Sequence, residues 1–561
     1  MLLLGALLPM ARVLPRFASS LPGDARGDIY KHVWSYWHAT VSPGLWTDYL
    51  NAPDGGILLD VMWVPALAMA PLTLLAGPVV ASNTWVVLSL FAVGAATAGL
   101  AWELTGARWP AVAAGLCAQS SPFLLGYPME SGVQERLAVW VFPLVLLALL
   151  RAGRRGSIGW AIAGVLGLAV ASLGCQSYAV FAVIMGVMTA PLFLWREERR
   201  HPWVLLGCLA GMAFCLLGVW ALAHHAALDP DSLSLLPGRT EMTTGVGAHL
   251  RIEPATLHGL LDPRAAARPL ALRESDLLVQ TSYLGWAPLV LGLAGVAVAR
   301  ARRWVGIVVA AGLVSAWMAL GHPAHAGHLL LVNYLYQAGA ALIPTYGHIP
   351  ALWQQTAVFG PLAAVGFAAL LARIGGRRSL VVGVVGLAAV LAERHSVVDE
   401  PIVARAFEVP ELSIYDEIGW DGSLVELPRS WRHSSLVDPL IFYAQTRHEA
   451  PLAVAINAGS TGLDRYRPVL DAKAESWPVA LDCMSRGGIR WVVLRGDAVF
   501  DEDYPVLREE LIEAAGPPVA EDGRTLLFDL GPAEATQGGV PLVVGGGPSG
   551  ARRRLGGCPY N

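Results

Sequence analysis

Through its first 400 residues the chain alternates long apolar runs with short polar turns. Runs long enough to cross a bilayer fall near 1–18, 82–104, 109–125, 136–150, 157–173, 177–195, 203–223, 281–299, 304–320, 357–372 and 379–397, which predicts eleven spans. The first is interrupted by Arg12; a signal peptide is the competing reading there, but no small-residue cleavage site stands out. Two further apolar stretches are not counted as spans. NAPDGGILLDVMWVPALAMAPLTLLAGP (51–78) is punctuated by proline and predicts a helix along the membrane surface. Residues 329–343 predict a re-entrant or interfacial segment, since a crossing there would scramble the charge pattern below.

After residue 398 the periodicity changes. SLVELP (423–428), IRWVVLR (489–495) and RTLLFDL (524–530) read as strands, and 438–449, 478–488 and 504–516 as helical stretches. That order predicts a small α/β domain over 398–534. SLVELP and IRWVVLR are apolar nearly throughout, as expected of adjacent central strands covered on both sides. The Gly-rich tail 535–561 predicts disorder. The fold class is therefore an α-helical polytopic membrane protein (1–397) with a C-terminal α/β domain, and no internal repeat is visible.

Composition agrees: 561 residues, mean hydropathy +0.51 and only 15% charged residues exclude an ordinary soluble protein. The connections 105–108, 151–156, 196–201, 300–303 and 373–378 hold 1, 3, 3, 3 and 3 arginines. All lie on one side of eleven spans, so that side is cytoplasmic. The N-terminus then lies inside and the C-terminal domain outside. Of eighteen Asp and Glu before residue 398, only Glu103, Glu197 and Glu198 fall on the arginine side. Acidic residues barely affect topology, so chemistry on the outer face is one cause of the skew.

The acidic loop LPGDARGDIYKHVWSYWH (21–38) is the foremost candidate for that chemistry. Asp24 and Asp28 are four apart, which on a helix places them on one face, with His32 a turn further on. Tyr30, Trp34 and Trp37 read as interfacial aromatics. The structural alternatives are plain: Asp24 as a helix N-cap and Asp28 as a first-turn carboxylate complementing the helix dipole. Glu130, Glu135 and Arg136 in PMESGVQERL either serve a site or only flank a span. Arg273 and Tyr283 border the long outer loop 224–280, whose first residue is His224; anchoring at the interface is the alternative role. Gln354 and Gln355 suit sugar hydroxyls or the polar end of a span.

Read in order, these segments resemble a family. GD (23–24) ahead of an aromatic helix is followed by NAPDGG (51–56), LLAGP (74–78), SNTW (82–85), LTGARWPAVAAGL (104–116) and SSPF (120–123). VWVFPLVLLALL (139–150), SYLGWAPLVLGLAG (282–295), LVELP, YAQTRHEAPL (443–452) and GIRWVVLRGD (488–497) complete the series. Over about 20–530 the chain resembles bacterial integral-membrane glycosyltransferases of the GT-C superfamily that carry an outer α/β domain. One departure is LWQQT (352–356), at a place where similar proteins often carry arginines. The resemblance implies transfer of a sugar from a polyprenyl-phosphate-linked donor to a glycan, lipid or protein acceptor at the outer face of a bacterial inner membrane. Inverting transfer needs a base for the acceptor proton, for which Asp24 or Asp28 is suited, and cations or a divalent metal to steady the departing phosphate. No other cofactor is implied.

His322, His325 and His328 share a spacing of three, but Pro323 and Gly327 disturb it and no carboxylate accompanies them, so they read as loop histidines rather than a metal site. Cys117, Cys175, Cys208 and Cys215 read as buried small hydrophobes, while Cys483 and Cys558 are both outside and available to pair. No Walker loop, dinucleotide fingerprint, Ser-His-Asp motif or nucleic-acid module appears. The remaining function classes are a lipid or polysaccharide transporter or flippase, and a catalytically inactive GT-C-like scaffold.

Overall fold

The computed structural model describes the chain except residues 26, 45, 51, 53–54, 58–61, 191, 193–199, 229–259, 262–267, 270–278, 281–282, 300–301, 322–323, 327–328, 332, 343–351, 396–402, 420–421, 429–437, 455–473 and 533–561. Helices occupy most of the membrane part. They include α1 (Leu2–Leu7), α2 (Ile29–Val41), α3 (Trp63–Ala76), α4 (Pro78–Thr105), α5 (Arg108–Gln119), α6 (Val141–Arg155), α7 (Ile158–Gly174), α8 (Gln176–Thr189) and α9 (Pro202–Leu228). Further along the chain come α10 (Trp286–Val298), α11 (Arg302–Met318), α12 (Tyr334–Leu342), α13 (Phe359–Ile374) and α14 (Gly376–His395). Among the described residues three stretches, Pro78–Thr105, Gln134–Arg155 and Gln354–Ile374, are long and apolar enough by themselves to cross a membrane, and six apolar helices of 10–17 residues accompany them.

Their ends follow local rules. Pro78 opens α4 at its first turn, where a missing N–H costs nothing, and Gly106 closes it in the left-handed region. Ser157 caps α7 by accepting from the Trp160 amide, and Arg154 and Arg155 occupy the last turn of α6, where cations suit the dipole. Glycines set the closest helix contact. Gly292 and Gly295 on α10 face Gly366 on α13 so tightly that an added Cβ at Gly366 would overlap the Gly292 carbonyl oxygen. Small residues allow such approach in a bilayer, where apolar burial no longer drives helices together.

The first apolar stretch departs from the expected span. Pro9 and Pro15 break it into α1 and two single 3₁₀ turns, Leu8–Met10 and Leu14–Arg16, because proline removes a helical donor and clashes with the preceding turn. The Gln119 amide joins the carbonyls of Leu2 and Leu90, while the Asn83 amide joins those of Phe17 and Ser20. Leu2 thus lies level with the middle of α4 and Ser20 near its start. The stretch 329–343 contains α12, whose nine residues rise only about 14 Å. Tyr334 and Leu335 on it are exposed.

In the C-terminal part a four-stranded mixed sheet runs in the order β5 (Ala520–Asp522), β6 (Thr525–Asp529), β4 (Ile489–Arg495), β3 (Ser423–Leu427). β3 and β4 are parallel neighbours, with Val425 opposite Val492, as their apolar runs predict; β6 lies antiparallel to β4. The expectation that both are central strands holds for β4 only: β3 is the edge of this sheet, and the 451–453 segment shields it through Leu424 N to Pro451 O and Ala453 N to Leu424 O. Helices α15 (Pro439–His448), α16 (Trp477–Arg486) and α17 (Tyr504–Ala515) supply Ile441, Phe442, Ala480, Leu507 and Leu511 to the same core. Cys483 is disulfide-bonded; Cys558 lies outside the described residues.

Trp34 and Trp37 of α2 and Trp63 of α3 belong to this core as well. The expectation of interfacial anchors is therefore wrong for α2: Trp34, Trp37 and Tyr30 are buried, because Tyr443 and Phe442 of α15 pack on Tyr30 and Trp34 and Tyr49 packs on Trp37. Two strands far apart in sequence complete the seam. β1 (Ser20–Pro22) pairs antiparallel with β2 (Ala406–Glu408), Leu21 opposite Phe407.

Candidate active site

The acidic loop begins where β1 ends. Gly23 has φ +97°, a region that glycine alone enters readily, and a Cβ there would stand 2.5 Å from the Met129 carbonyl oxygen. Backbone bonds then fix the loop against residues 129–131: Asp24 N to Glu130 O at 3.0 Å and Asp28 N to Ser131 O at 3.2 Å. Gly27 touches the Ser131 carbonyl so closely that no side chain fits. From the other side Gly23 N donates to Arg405 O at 2.8 Å. Three segments remote in sequence thus hold Asp24 and Asp28, both half-buried.

The helical spacing argument for these two carboxylates fails. The helix starts at Ile29, after the turn closed by Gly27 N on Asp24 O, so the pair shares a loop and not a helix face. Asp28 occupies the N-cap position, yet its side chain makes no capping bond. Asp24 lies outside the helix altogether. His32 does sit one turn beyond Asp28, its amide donating to Asp28 O.

The facing segment is irregular. A π-helical turn, Leu125–Met129, carries Tyr127 and leads to Glu130; such turns re-aim side chains and recur at functional sites. Residues 134–140 follow as a 3₁₀ stretch. His32 Nε2 meets Glu135 Oε2 at 2.7 Å, and Arg136 Nε stands 3.6 Å from Glu135 Oε1. Arg136 Nη1 donates to Ser177 Oγ at 2.6 Å and Cys175 Sγ at 2.9 Å, with the guanidinium 6.0 Å from the Tyr178 ring. Cys175 is buried as expected, but it serves as a hydrogen-bond partner and not only as a small hydrophobe. Tyr127 accepts from Gln354 at 3.3 Å and feels the charges of Asp28, Glu135 and Arg136.

Glu130, Glu135, Arg136 and Gln354 therefore gather with Asp24 and Asp28. Gln355 lies buried beside Gln354. Buried Glu130 pairs with Arg405 at 3.3 Å. Tyr283 takes a different role: its hydroxyl donates to Glu393, which also accepts the Trp286 and Ala287 amides at the start of α10. The Arg273 position and the His224 side chain lie outside the described residues, as do those of His322, His325 and His328. His32, Tyr127, Gln134 and Arg405 join the cluster without having stood among the leading candidates. Only His32 carried a sequence signal, its spacing from Asp28.

Within the cluster Glu135 pairs with His32 and Arg136, and Glu130 with Arg405. Beside Glu135 a cavity of about 10 Å³, lined by Gln134, Trp85 and Trp140 among others, has room for about one water. Among the described residues no three His, Cys, Asp or Glu come together as a metal site. Carboxylates, guanidinium groups and side-chain amides are all within this one region.

The sequence matches no protein-family model and no curated protein. Solved structures do match. The arabinofuranosyltransferase AftD from Mycobacteria aligns over 94% of this chain with a TM-score of 0.52 and 16% identity; this chain covers 41% of AftD, about two fifths of its length. The oligosaccharyltransferase AglB from Archaeoglobus fulgidus, solved with an inhibitory peptide and a dolichol-phosphate, aligns over 88% of this chain and 68% of its own (TM-score 0.43, 11% identity). ArnT from Cupriavidus metallidurans, bound to undecaprenyl phosphate, aligns over 94% and 96% (TM-score 0.42, 14% identity). At 16% identity the likeness to AftD, over most of this chain, is one of fold.

Proposed function

We propose that this protein is an inverting glycosyltransferase of the bacterial inner membrane that moves a sugar from a polyprenyl-phosphate carrier to a cell-envelope acceptor. The observation that carries this reading is the acidic loop, held by backbone bonds against Glu130, Ser131 and Arg405 at the seam between the membrane helices and the outer domain. Mere tethering of a helix needs no such clamp. The arginine-rich connections lie on the cytoplasmic side, which sets residues 398–534 and the acidic loop outside.

In the proposed step Asp24 takes the proton of an acceptor hydroxyl as its oxygen bonds to the sugar C1. The C1–O bond to phosphate breaks, and polyprenyl phosphate leaves with the electron pair. Phosphate is already a good leaving group, so a cation serves it better than an acid; Arg136 and Arg405 are the arginines beside the loop. Asp28 and Glu130 steady the positive charge that grows on the sugar, and Gln354 and Gln355 bind its hydroxyls. The outer domain selects the acceptor.

The test is Asp24→Asn in reconstituted membranes supplied with a panel of polyprenyl-phosphate sugars. Asn keeps the shape but accepts no proton, so transfer is expected to fall by about 10² or more with donor binding retained. Normal transfer by the variant removes Asp24 from the mechanism. Absence of transfer by the unaltered protein across the panel favours the scaffold reading.

A further inference from the structure

A groove of about 330 Å³ runs between α10 and α14. Its walls are wholly apolar: Ala287, Val290 and Leu291 on one side, Val382, Val385 and Ala389 on the other. On α14 the positions 378, 382, 385, 389 and 393 recur every three or four residues, so they form one stripe along the helix.

The ends of that stripe differ. At one end the Glu393 carboxylate closes the gap by accepting the Ala287 amide at 2.8 Å, together with the Trp286 amide and the Tyr283 hydroxyl. At the other end Arg377 and Arg378 are exposed. From Arg378 to Ala389 the helix rises about 16 Å, roughly half of a ~30 Å hydrocarbon core. The groove therefore matches the depth of a single leaflet. A chain lying in it has its head at the arginine end, because a carboxylate blocks the other, and two guanidinium groups favour a negative head.

That end is remote from the acidic loop. Gln354 reaches Tyr127 in the candidate active site, and α13 then leads about 24 Å away before the chain turns at Gly375 and Gly376. A donor lipid with its phosphate at the active site would point the opposite way. We propose that the α10–α14 groove holds one acyl chain of an anionic phospholipid, with the lipid phosphate on Arg377 and Arg378. The assignment stands apart from the sugar-transfer reading and uses none of its residues.

The full-length protein, equilibrated in nanodiscs of phosphatidylcholine with a minor share of phosphatidylglycerol and extracted into mild detergent, can be examined by native mass spectrometry. The unaltered protein is expected to retain phosphatidylglycerol in preference. Arg377→Gln with Arg378→Gln should erase that preference by roughly fivefold per arginine. Val385→Trp fills the groove from an exposed position (62%) and should reduce retention of both lipids. Equal retention by the unaltered protein overturns the proposal. So does enrichment that survives the double arginine variant, which alters only exposed side chains and keeps the test meaningful if the Trp variant fails to fold. Undiminished lipid retention by a folded Val385→Trp protein overturns the groove as its place.

Discussion

Glu426 shows how one residue of the C-terminal sheet region carries a measurable cost. It stands near the end of β3 at 1% exposure, beside the Tyr415 hydroxyl and 3.6 Å from Arg495 Nε. Arg495 gives its close contact to Asp438 Oδ2 at 2.7 Å instead, and Asp497 lies 3.7 Å away. Burial raises the Glu426 pKa from 4.5 to about 7, outweighing the pull of Arg495. A carboxyl whose folded pKa is raised contributes stability that is complete below pH 4.5 and is lost as pH rises through 7. Buried His448 and His38 work in the opposite sense, since burial lowers them to about 3 and about 4, and their stability contribution is lost as pH falls. The comparison that isolates Glu426 is therefore Glu426→Gln against the unaltered protein. The variant should gain stability relative to it between pH 4.5 and 7, by on the order of 3 kcal/mol at most, read as thermal unfolding across that range. A constant difference between the two proteins would show that Glu426 does not titrate there.

At the scale of elements, the contact of α10 with α13 rests on Gly292, Gly295 and Gly366. Gly366→Leu should separate the two helices and, with no alternative backbone approach on offer, destabilise the bundle by several kcal/mol, as overpacking does at its upper range; a Tm unchanged in detergent would contradict the close approach. Both segments were legible as apolar runs, because a span announces itself by length and composition. β3 and β4 were legible as neighbours for a similar reason, since strands apolar on both faces must be covered. The first stretch misled because hydropathy weighs Pro9 and Pro15 only slightly, while their steric effect ends the helix. Pairings across the chain had no local signal. β1 reads as a few residues of loop until β2, almost four hundred residues later, supplies its partner. The site was legible to the same degree: Asp24, Asp28, Glu130, Glu135 and Arg136 are found together, but Arg405 as the partner of Glu130, and Cys175 with Ser177 as partners of Arg136, depend on packing that no spacing encodes.

At the scale of the whole molecule, the C-terminal sheet region is built into the candidate active site and is not an appendage to it. Trp34 is fully buried in the core of the C-terminal sheet region, and its Nε1 donates to Gln445 Oε1 at 2.7 Å. The same glutamine donates to the carbonyls of Tyr49 and Ala450, so α2, Tyr49 and α15 are locked by one side chain. α2 starts at the end of the acidic loop, and β1–β2 pairing holds the other end. Removal of residues 400–530 would therefore release Asp24 and Asp28 as well as any acceptor surface, and is a poor way to separate the two roles. Trp34→Ala is the sharper probe, because Trp34 makes no contact with Glu135, Arg136 or Tyr127 in the bonds described above. Its loss leaves a cavity worth about 3–5 kcal/mol and an unpaired Gln445 oxygen, which should loosen α15 from α2. Limited proteolysis is expected to cut between the C-terminal region and the helices in this variant, and the sugar transfer proposed above should fall together with that protection. A Trp34→Ala protein that resists protease and keeps that proposed transfer would mean that the acidic loop keeps its geometry without the Trp34–Gln445 contact.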